Sequence, residues 1–377
     1  MKYSQSKITQ SVHAGSHGDP QFKGTTNPIY SSSAYDYEEI SETQYPRYFN
    51  TPNQKAVGEK IAALENAEAG LVFSSGLAAI MTSLLALLRQ GDHVVFQNDL
   101  YGGTYNAVVT ELPRLGIEVT MVDGSDPENF GKAIRKETKV IYIETPSNPT
   151  LKITDIEAVV QVARQHGIKT VIDNTFASPV NQNPHDLGID IVTHSGTKYL
   201  GGHSDLCCGT ATGSNVLIDL VWHSAFRFGG SLDPHACYML ERSLKTLVLR
   251  VRQQNENAMR LAELLSAVDR INKVYYPGLT SHPGHTIARK QMPGGFGGML
   301  AFEVKKDAAG FLDRLKLIKR AISLGGVEST ICLPVKTSHA KMTAEERAQI
   351  GVTDNLVRFS VGIEEVEDLW NDIHQAL

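Results

Sequence analysis

An α/β protein built on a doubly wound, mostly parallel sheet, with a smaller α+β domain behind it, is predicted by three observations. From residue 54 onward, short β-rich runs alternate with helical stretches. Those runs are nearly continuous in apolar residues, as they must be when helices cover both faces of a parallel sheet. After about residue 250 the alternation gives way to a mixed order of helix and strand. At 377 residues the chain is long enough for two such domains.

Residues 1–53 carry no sustained period. They mix breakers, from Gly15 and Pro20 to Pro46 and Pro52, with aromatics, from Tyr30 and Tyr35 to Tyr48 and Phe49. Such a segment has no core of its own yet has surface to bury, and an arm across a neighbouring subunit satisfies both conditions. Residues 54–250 form the α/β domain, with strands predicted at 93–97, 117–122, 139–144, 168–173 and 189–193. The apolar run 77–88 is about half a membrane span and includes Thr82 and Ser83, so it reads as a buried helix. A helix at 154–166 opens on a capping box from Thr154 to Glu157 and stops at Gly167. Residues 251–377 form the smaller domain. It holds a long helix through Leu264, strands at 274–276, 299–304 and 356–361, a helix at 311–319 and a terminal helix.

The balance of 36 Lys+Arg against 41 Asp+Glu, a formal charge of -5, argues against nucleic acid or an anionic membrane as the main partner. It leaves room for a small anionic ligand. The four cysteines, Cys207, Cys208, Cys237 and Cys332, have neither zinc-ligand spacing nor the pattern of a disulfide framework. They read as small buried residues of a reducing compartment. Residues 1–12 are polar and lack the apolar core of a signal peptide, so the expected location is the cytoplasm.

Ligands of open parallel sheets bind beyond the carboxyl ends of the strands. Three apolar runs end there in polar residues: Glu144-Thr145-Pro146-Ser147-Asn148-Pro149, Asp173-Asn174-Thr175, and Thr193-His194-Ser195-Gly196-Thr197-Lys198. Separately, Val72-Phe73-Ser74-Ser75-Gly76-Leu77 reads as a strand turning into a helix, whose first amides can seat a phosphate. A lysine among hydroxyls, an acid on another strand end and a phosphate seat suit pyridoxal phosphate. The lysine forms an imine with its aldehyde, and the acid keeps the pyridine nitrogen protonated. A purely structural Lys198 would need a carboxylate partner, for which Asp205 and Asp173 are candidates. Neither a Walker A run nor a GxGxxG after the first strand is present, which lowers nucleotide hypotheses.

The segment Ser195-Gly196-Thr197-Lys198-Tyr199-Leu200-Gly201-Gly202-His203-Ser204-Asp205 resembles the cofactor-lysine signature of the Cys/Met-metabolism (trans-sulfuration) family of pyridoxal-phosphate enzymes. The likeness extends through Tyr101-Gly102-Gly103-Thr104, Glu144 to Pro149 and Asp173-Asn174-Thr175-Phe176. It continues through Leu324-Gly325-Gly326-Val327-Glu328-Ser329 and Arg358-Phe359-Ser360-Val361-Gly362. The resemblance implies an aminotransferase-like (fold type I) large domain and a smaller C-terminal one. It implies carbon–sulfur bond chemistry on amino acids of the cystathionine γ-synthase or cystathionine β/γ-lyase type, through an imine to the substrate and a carbanion. It also implies a homo-oligomer, a tetramer built from dimers that share active sites.

Residue by residue, the resemblance assigns Lys198 to the cofactor and to proton transfer, and Asp173 to the pyridine nitrogen. Tyr101 stacks on the ring and exchanges a proton, and Gly76, Leu77, Ser195 and Thr197 hold the phosphate. Tyr45 and Arg47 reach that phosphate from the adjacent subunit. Arg358 grips the substrate carboxylate, with Asn148 and the Ser329 backbone assisting. Glu328 stands where members handling cystathionine by γ-chemistry commonly have glutamate, and Gly103 where methionine γ-lyases usually have cysteine. Asn106 follows the Tyr-Gly-Gly-Thr run where many members carry an arginine, which implies a different or smaller substrate. Methionine γ-lyase and O-acetylhomoserine sulfhydrylase are the alternatives within the family. Outside it stand a nicotinamide-dependent dehydrogenase, which lacks its glycine fingerprint here, and a non-catalytic binding protein, in which Lys198 or Asp173 would be lost. His282 and His285 have no evident third metal ligand and read as loop residues, His203 as a structural hydrogen-bonder, and the 294–298 glycines as a turn before a strand.

Overall fold

The computed structural model describes residues 5–38, 42–337, 340, 343, 347 and 351–377. Seven strands form the larger sheet: β1 (Ala69–Phe73), β2 (His93–Gln97), β3 (Glu118–Val122), β4 (Thr138–Glu144), β5 (Lys169–Asp173), β6 (Ile191–Ser195) and β7 (Gly209–Gly213). Their order is β1-β7-β6-β5-β4-β2-β3. Strands β2 to β6 run parallel, and β7 is antiparallel to both its neighbours. A fold class of mostly parallel α/β is thus what the chain adopts.

The apolar runs explain the layering. Val94, Val140, Tyr142, Val171 and Ile191 feed one core, while Val95, Ile141, Ile143, Ile172 and Val192 feed another on the opposite face. Successive side chains of a strand point to opposite faces, so a strand with a core on each side must be apolar throughout. Helix α3 (Gly76–Leu87) supplies Ala79, Ile80 and Leu84 to the first core, which makes the 77–88 run a buried helix as read.

The smaller sheet has the order β10-β11-β12-β9-β8, from β8 (Ile271–Tyr275), β9 (Met299–Val304), β10 (Lys319–Arg320), β11 (Thr330–Cys332) and β12 (Leu356–Ser360). All its pairings are antiparallel except β10 with β11. The long helix Leu247–Ser266 contributes residues to two cores: Leu247 and Val251 join the one around Tyr199, and Ala258, Leu261 and Leu265 join the one over the smaller sheet. Among the described residues no helix is long and apolar enough to cross a membrane.

Several local readings are corrected. The 154–166 helix runs from Ile156 to Gln165, and its N-cap is Asp155, whose carboxylate accepts from the Ala158 amide at 3.1 Å. Thr154 does not cap: its amide donates to Thr145 Oγ1 and its hydroxyl to Gln97 Oε1. The 311–319 helix is Ala308–Arg314, because the Asp307 carboxylate accepts from the Gly310 amide and starts the turn earlier. Strand β7, Gly-Thr-Ala-Thr-Gly, lacks an apolar run and is held by its two ladders instead. Residues 1–53 include a helix, α1 (Lys7–His13). Its carboxyl end is capped by buried Lys60 of α2 (Pro52–Glu65), which donates to the carbonyls of Ser11 and Val12.

Candidate active site

Strands β4, β5 and β6 end side by side in Glu144, Asp173 and Ser195. The register pairs Glu144 with Asp173 and Asp173 with Thr193, so these residues line one edge on the α3 side of the sheet. Asp173 is buried, and its Oδ1 accepts from the Thr175 amide at 2.9 Å. Burial raises its pKa, while Thr175, His194 and Lys198 draw it back. His194, one residue further along β6 than Thr193, points to the other face. There its Nε2 meets Glu65 Oε1 of α2 at 2.5 Å, with both side chains out of solvent.

Lys198 sits in the turn that follows β6, and that turn is fixed from below. The buried guanidinium of Arg250 donates to the carbonyls of Tyr199 (2.8 Å) and Ser243 (2.9 Å) and lies against Gly202. A β-carbon at Gly202, where φ is +69°, would be 1.9 Å from the Arg250 guanidinium nitrogen. The Lys198 amine donates to Ser323 Oγ at 2.7 Å. Burial, then the charge of Arg358, lowers the Lys198 pKa to about 8, against smaller opposing effects of Cys207 and Asp173. Asp205 is exposed and forms no ion pair with it among the described residues. The amine is therefore half-buried, easier to deprotonate than an ordinary lysine, and bound by a hydroxyl rather than a carboxylate.

Ser323 joins the two sheets at this point. Its hydroxyl accepts from Lys198, and its carbonyl accepts from Arg358 of β12 at 3.1 Å. Arg358, 7 % exposed, also donates to Asn148 Oδ1 at 3.2 Å, so its planar fork is aimed between the β4 end and the smaller sheet. Gly325 presses on the lysine turn: a β-carbon there would lie 2.7 Å from the Tyr199 amide nitrogen. Lys198, Arg358 and Asn148 are thus brought together.

The turn expected to seat a phosphate lies where α3 starts. The Ser75 hydroxyl accepts from the Ala78 amide at 3.1 Å, leaving the Gly76 and Leu77 amides in the first turn, which has no intrahelical acceptors. Gly76 lies directly against Ser195: a β-carbon there would come within 2.7 Å of the Ser195 Cα and 3.1 Å of its hydroxyl. The Thr197 hydroxyl is tied to the backbone of Cys208, donating to its carbonyl at 3.2 Å and accepting from its amide at 3.0 Å. Tyr101 caps α4 (Gly102–Arg114), its amide donating to Glu144 Oε2 at 2.8 Å. Its ring covers Gly103, where a β-carbon would sit 2.4 Å from Cε1. An amine of lowered pKa, a buried carboxylate, a helix-start anion seat and a guanidinium fork form a donor set that fits pyridoxal phosphate with an amino-acid substrate.

Four other expected residues are exposed or have their hydrogen bonds outside this cluster. Tyr45 and Arg47 are exposed, and Arg47 donates to the Phe226 carbonyl at 2.5 Å while its guanidinium stacks over the Tyr48 and Phe226 rings. The Ser329 amide is taken by Glu364 Oε1 at 2.6 Å, and its hydroxyl by Glu364 Oε2 at 2.9 Å. Glu328 is exposed. Sequence reasoning missed Ser323, Arg250 and the buried apposition of Glu144 to Asp173. Ser323 directly precedes the Leu324-Gly325-Gly326 run, but a serine at φ +78° leaves no trace in a sequence.

The family model of the Cys/Met metabolism PLP-dependent enzymes matches residues 8–377. The chain is 44% identical over 376 residues to cystathionine gamma-lyase of Bacillus subtilis (strain 168), covering 98% of this chain and 99% of that protein. It is 43% identical over 375 residues to cystathionine beta-lyase of Lactococcus lactis subsp. cremoris (strain MG1363), covering 98% of each. The crystal structure of cystathionine gamma synthase from Xanthomonas oryzae pv. oryzae, in complex with aminoacrylate and cysteine, superposes with a TM-score of 0.94. It is 38% identical, over 99% of this chain and 97% of that one.

Proposed function

The chain belongs to the Cys/Met metabolism family of PLP-dependent enzymes, and from that premise we propose that it is a cystathionine lyase. The observation that carries the reading is the single amine of Lys198 held between the Asp173 and Arg358 side of the site by Ser323. The two similar lyases support cleavage as the direction. The similarity to a γ-synthase structure favours a second reading, in which cysteine rather than water completes the cycle.

Pyridoxal phosphate, when bound, supplies a ring that withdraws electrons from the substrate α-carbon. Lys198 would hold the aldehyde and, once freed from it by the substrate amine, take the proton from that carbon. For a leaving group on the γ-carbon it would first give that proton up to the cofactor side of the imine and, as free amine again, take a second one from the β-carbon. An amine lowered to about 8 is matched to both tasks. Asp173 keeps the pyridine nitrogen protonated, and Gly76, Leu77, Ser195 and Thr197 hold the phosphate. For Thr197 this requires its hydroxyl to leave Cys208. Tyr101 closes over the ring and passes a proton to the departing sulfur. Arg358 and Asn148 hold the substrate carboxylate with the Ser329 backbone assisting, and Glu328 stands toward the distal end of cystathionine. Tyr45 and Arg47 reach the phosphate of an adjacent subunit, within a homotetramer of site-sharing dimers. The free cysteines suit residence in the cytoplasm.

Incubation with cystathionine tests the reading. Pyruvate marks β-cleavage and 2-oxobutyrate γ-cleavage. Inertness toward cystathionine, together with formation of cystathionine from an activated homoserine and cysteine, would replace the lyase by the synthase.

A further inference from the structure

Glu144 and Asp173 end neighbouring strands at paired positions, and both side chains lie on the face that carries Tyr142 and Val171 into the first core. They are 3 % and 5 % exposed. Within the chain, each carboxylate receives a backbone amide: Tyr101 for Glu144 and Thr175 for Asp173. Neither forms an ion pair among the described residues, because the charges nearby are engaged elsewhere. Lys152 pairs with Asp99 at 2.9 Å, His194 is turned through the sheet onto Glu65, and the Lys198 amine rests on Ser323. Two like charges side by side in so dry a place do not both ionise. Burial raises both carboxyls: with the negative charges of Asp173 and Asp99 it pushes Glu144 well above the usual carboxylate range, whereas for Asp173 the hydrogen bonds of Thr175, then the charges of His194 and Lys198, oppose it.

We propose that Glu144 is a positioning residue that works as the neutral acid. Its carbonyl oxygen holds the Tyr101 amide, and by carrying the proton of the pair it leaves Asp173 the negative charge that a protonated pyridine nitrogen requires. The proposal rests on the reading that Asp173 faces that nitrogen. It predicts that Glu144→Gln, which keeps a carbonyl acceptor and copies the neutral acid, preserves the site, while Glu144→Ala loosens Tyr101.

Infrared difference spectroscopy of the whole protein, with and without pyridoxal phosphate, reads the proton directly. A protonated-carboxyl carbonyl band should be present at neutral pH in the natural protein and missing from Glu144→Gln. The Glu144→Gln protein should bind the cofactor within about threefold of the natural affinity, whereas Glu144→Ala should lose tenfold or more. Persistence of the band in Glu144→Gln overturns the proposal, and so does its absence from the natural protein. A Glu144→Gln protein that keeps its circular dichroism but loses the cofactor as Glu144→Ala does overturns it too. Asp173→Asn isolates the underlying reading: natural cofactor affinity in that variant would sink the role of Asp173, while the band would still report on Glu144.

Discussion

On the proposal that Lys198 takes the cofactor aldehyde, its surroundings set the pH of capture, because an amine reacts with an aldehyde only when it is neutral. Burial and the charge of Arg358 lower its pKa to about 8. The ammonium form dominates below that value and the nucleophilic amine above it. Capture of pyridoxal phosphate by the cofactor-free protein, followed by borohydride trapping and mass analysis of the Lys198 peptide, should rise with pH through about 8 and level off beyond. Arg358→Ala removes a repelling positive charge, raises the pKa, and should move that curve to higher pH. A curve that is flat from pH 6 to 9 would remove the argument. Ser323 acts on the same atom as an acceptor, and a hydrogen bond to a charged group contributes about 1.5–3 kcal/mol. Ser323→Ala should therefore lower kcat by roughly ten- to a hundredfold while cofactor absorbance is retained, since nothing in the phosphate seat is touched.

At the scale of elements, the site depends on close approach of strand β6 to the start of α3. Gly76 permits it, for a β-carbon would lie 2.7 Å from the backbone and side chain of Ser195, which cannot swing away as a flexible tip could. Overpacking of this kind costs about 1–3 kcal/mol, and here the helix start would have to retreat with its amides. Gly76→Ala should weaken pyridoxal phosphate binding by roughly five- to a hundredfold in an absorbance titration, with the helical signal by circular dichroism unchanged. Natural affinity in Gly76→Ala would place the anion seat elsewhere. The strands and the residues at their ends were legible because a sheet covered on both faces forces continuous apolar runs, and those runs point to Glu144, Asp173 and Lys198. Element starts were less legible. Thr154 offers the same capping chemistry as Asp155, and only the competing bonds to Thr145 and Gln97 decide between them.

Across the whole molecule, the site is assembled from both sheets and from distant stretches of one chain. Lys198 comes from the end of β6, and Ser323 and Arg358 from the smaller sheet's side. Contacts of that separation carry no local pattern, which is why the Ser323 bridge and the Arg250 brace under the lysine turn could not be read from residue order. Arg47 extends the same argument beyond one chain. Its guanidinium is exposed and pre-set over the Tyr48 and Phe226 rings, away from the cluster around Lys198. If Arg47 serves the phosphate of a neighbour, each site draws Lys198 from one subunit and Arg47 from the other. Lys198→Ala and Arg47→Ala homo-oligomers then each have only defective sites. Unfolded together and refolded in equal amounts, they form mixed dimers in which one of the two sites has both residues intact, about a quarter of all sites. Activity near that fraction of the natural value should appear on mixing. Recovery no greater than the sum of the separate variants, with mixed oligomers demonstrated by mass, would assign Arg47 to its own subunit's site or to none.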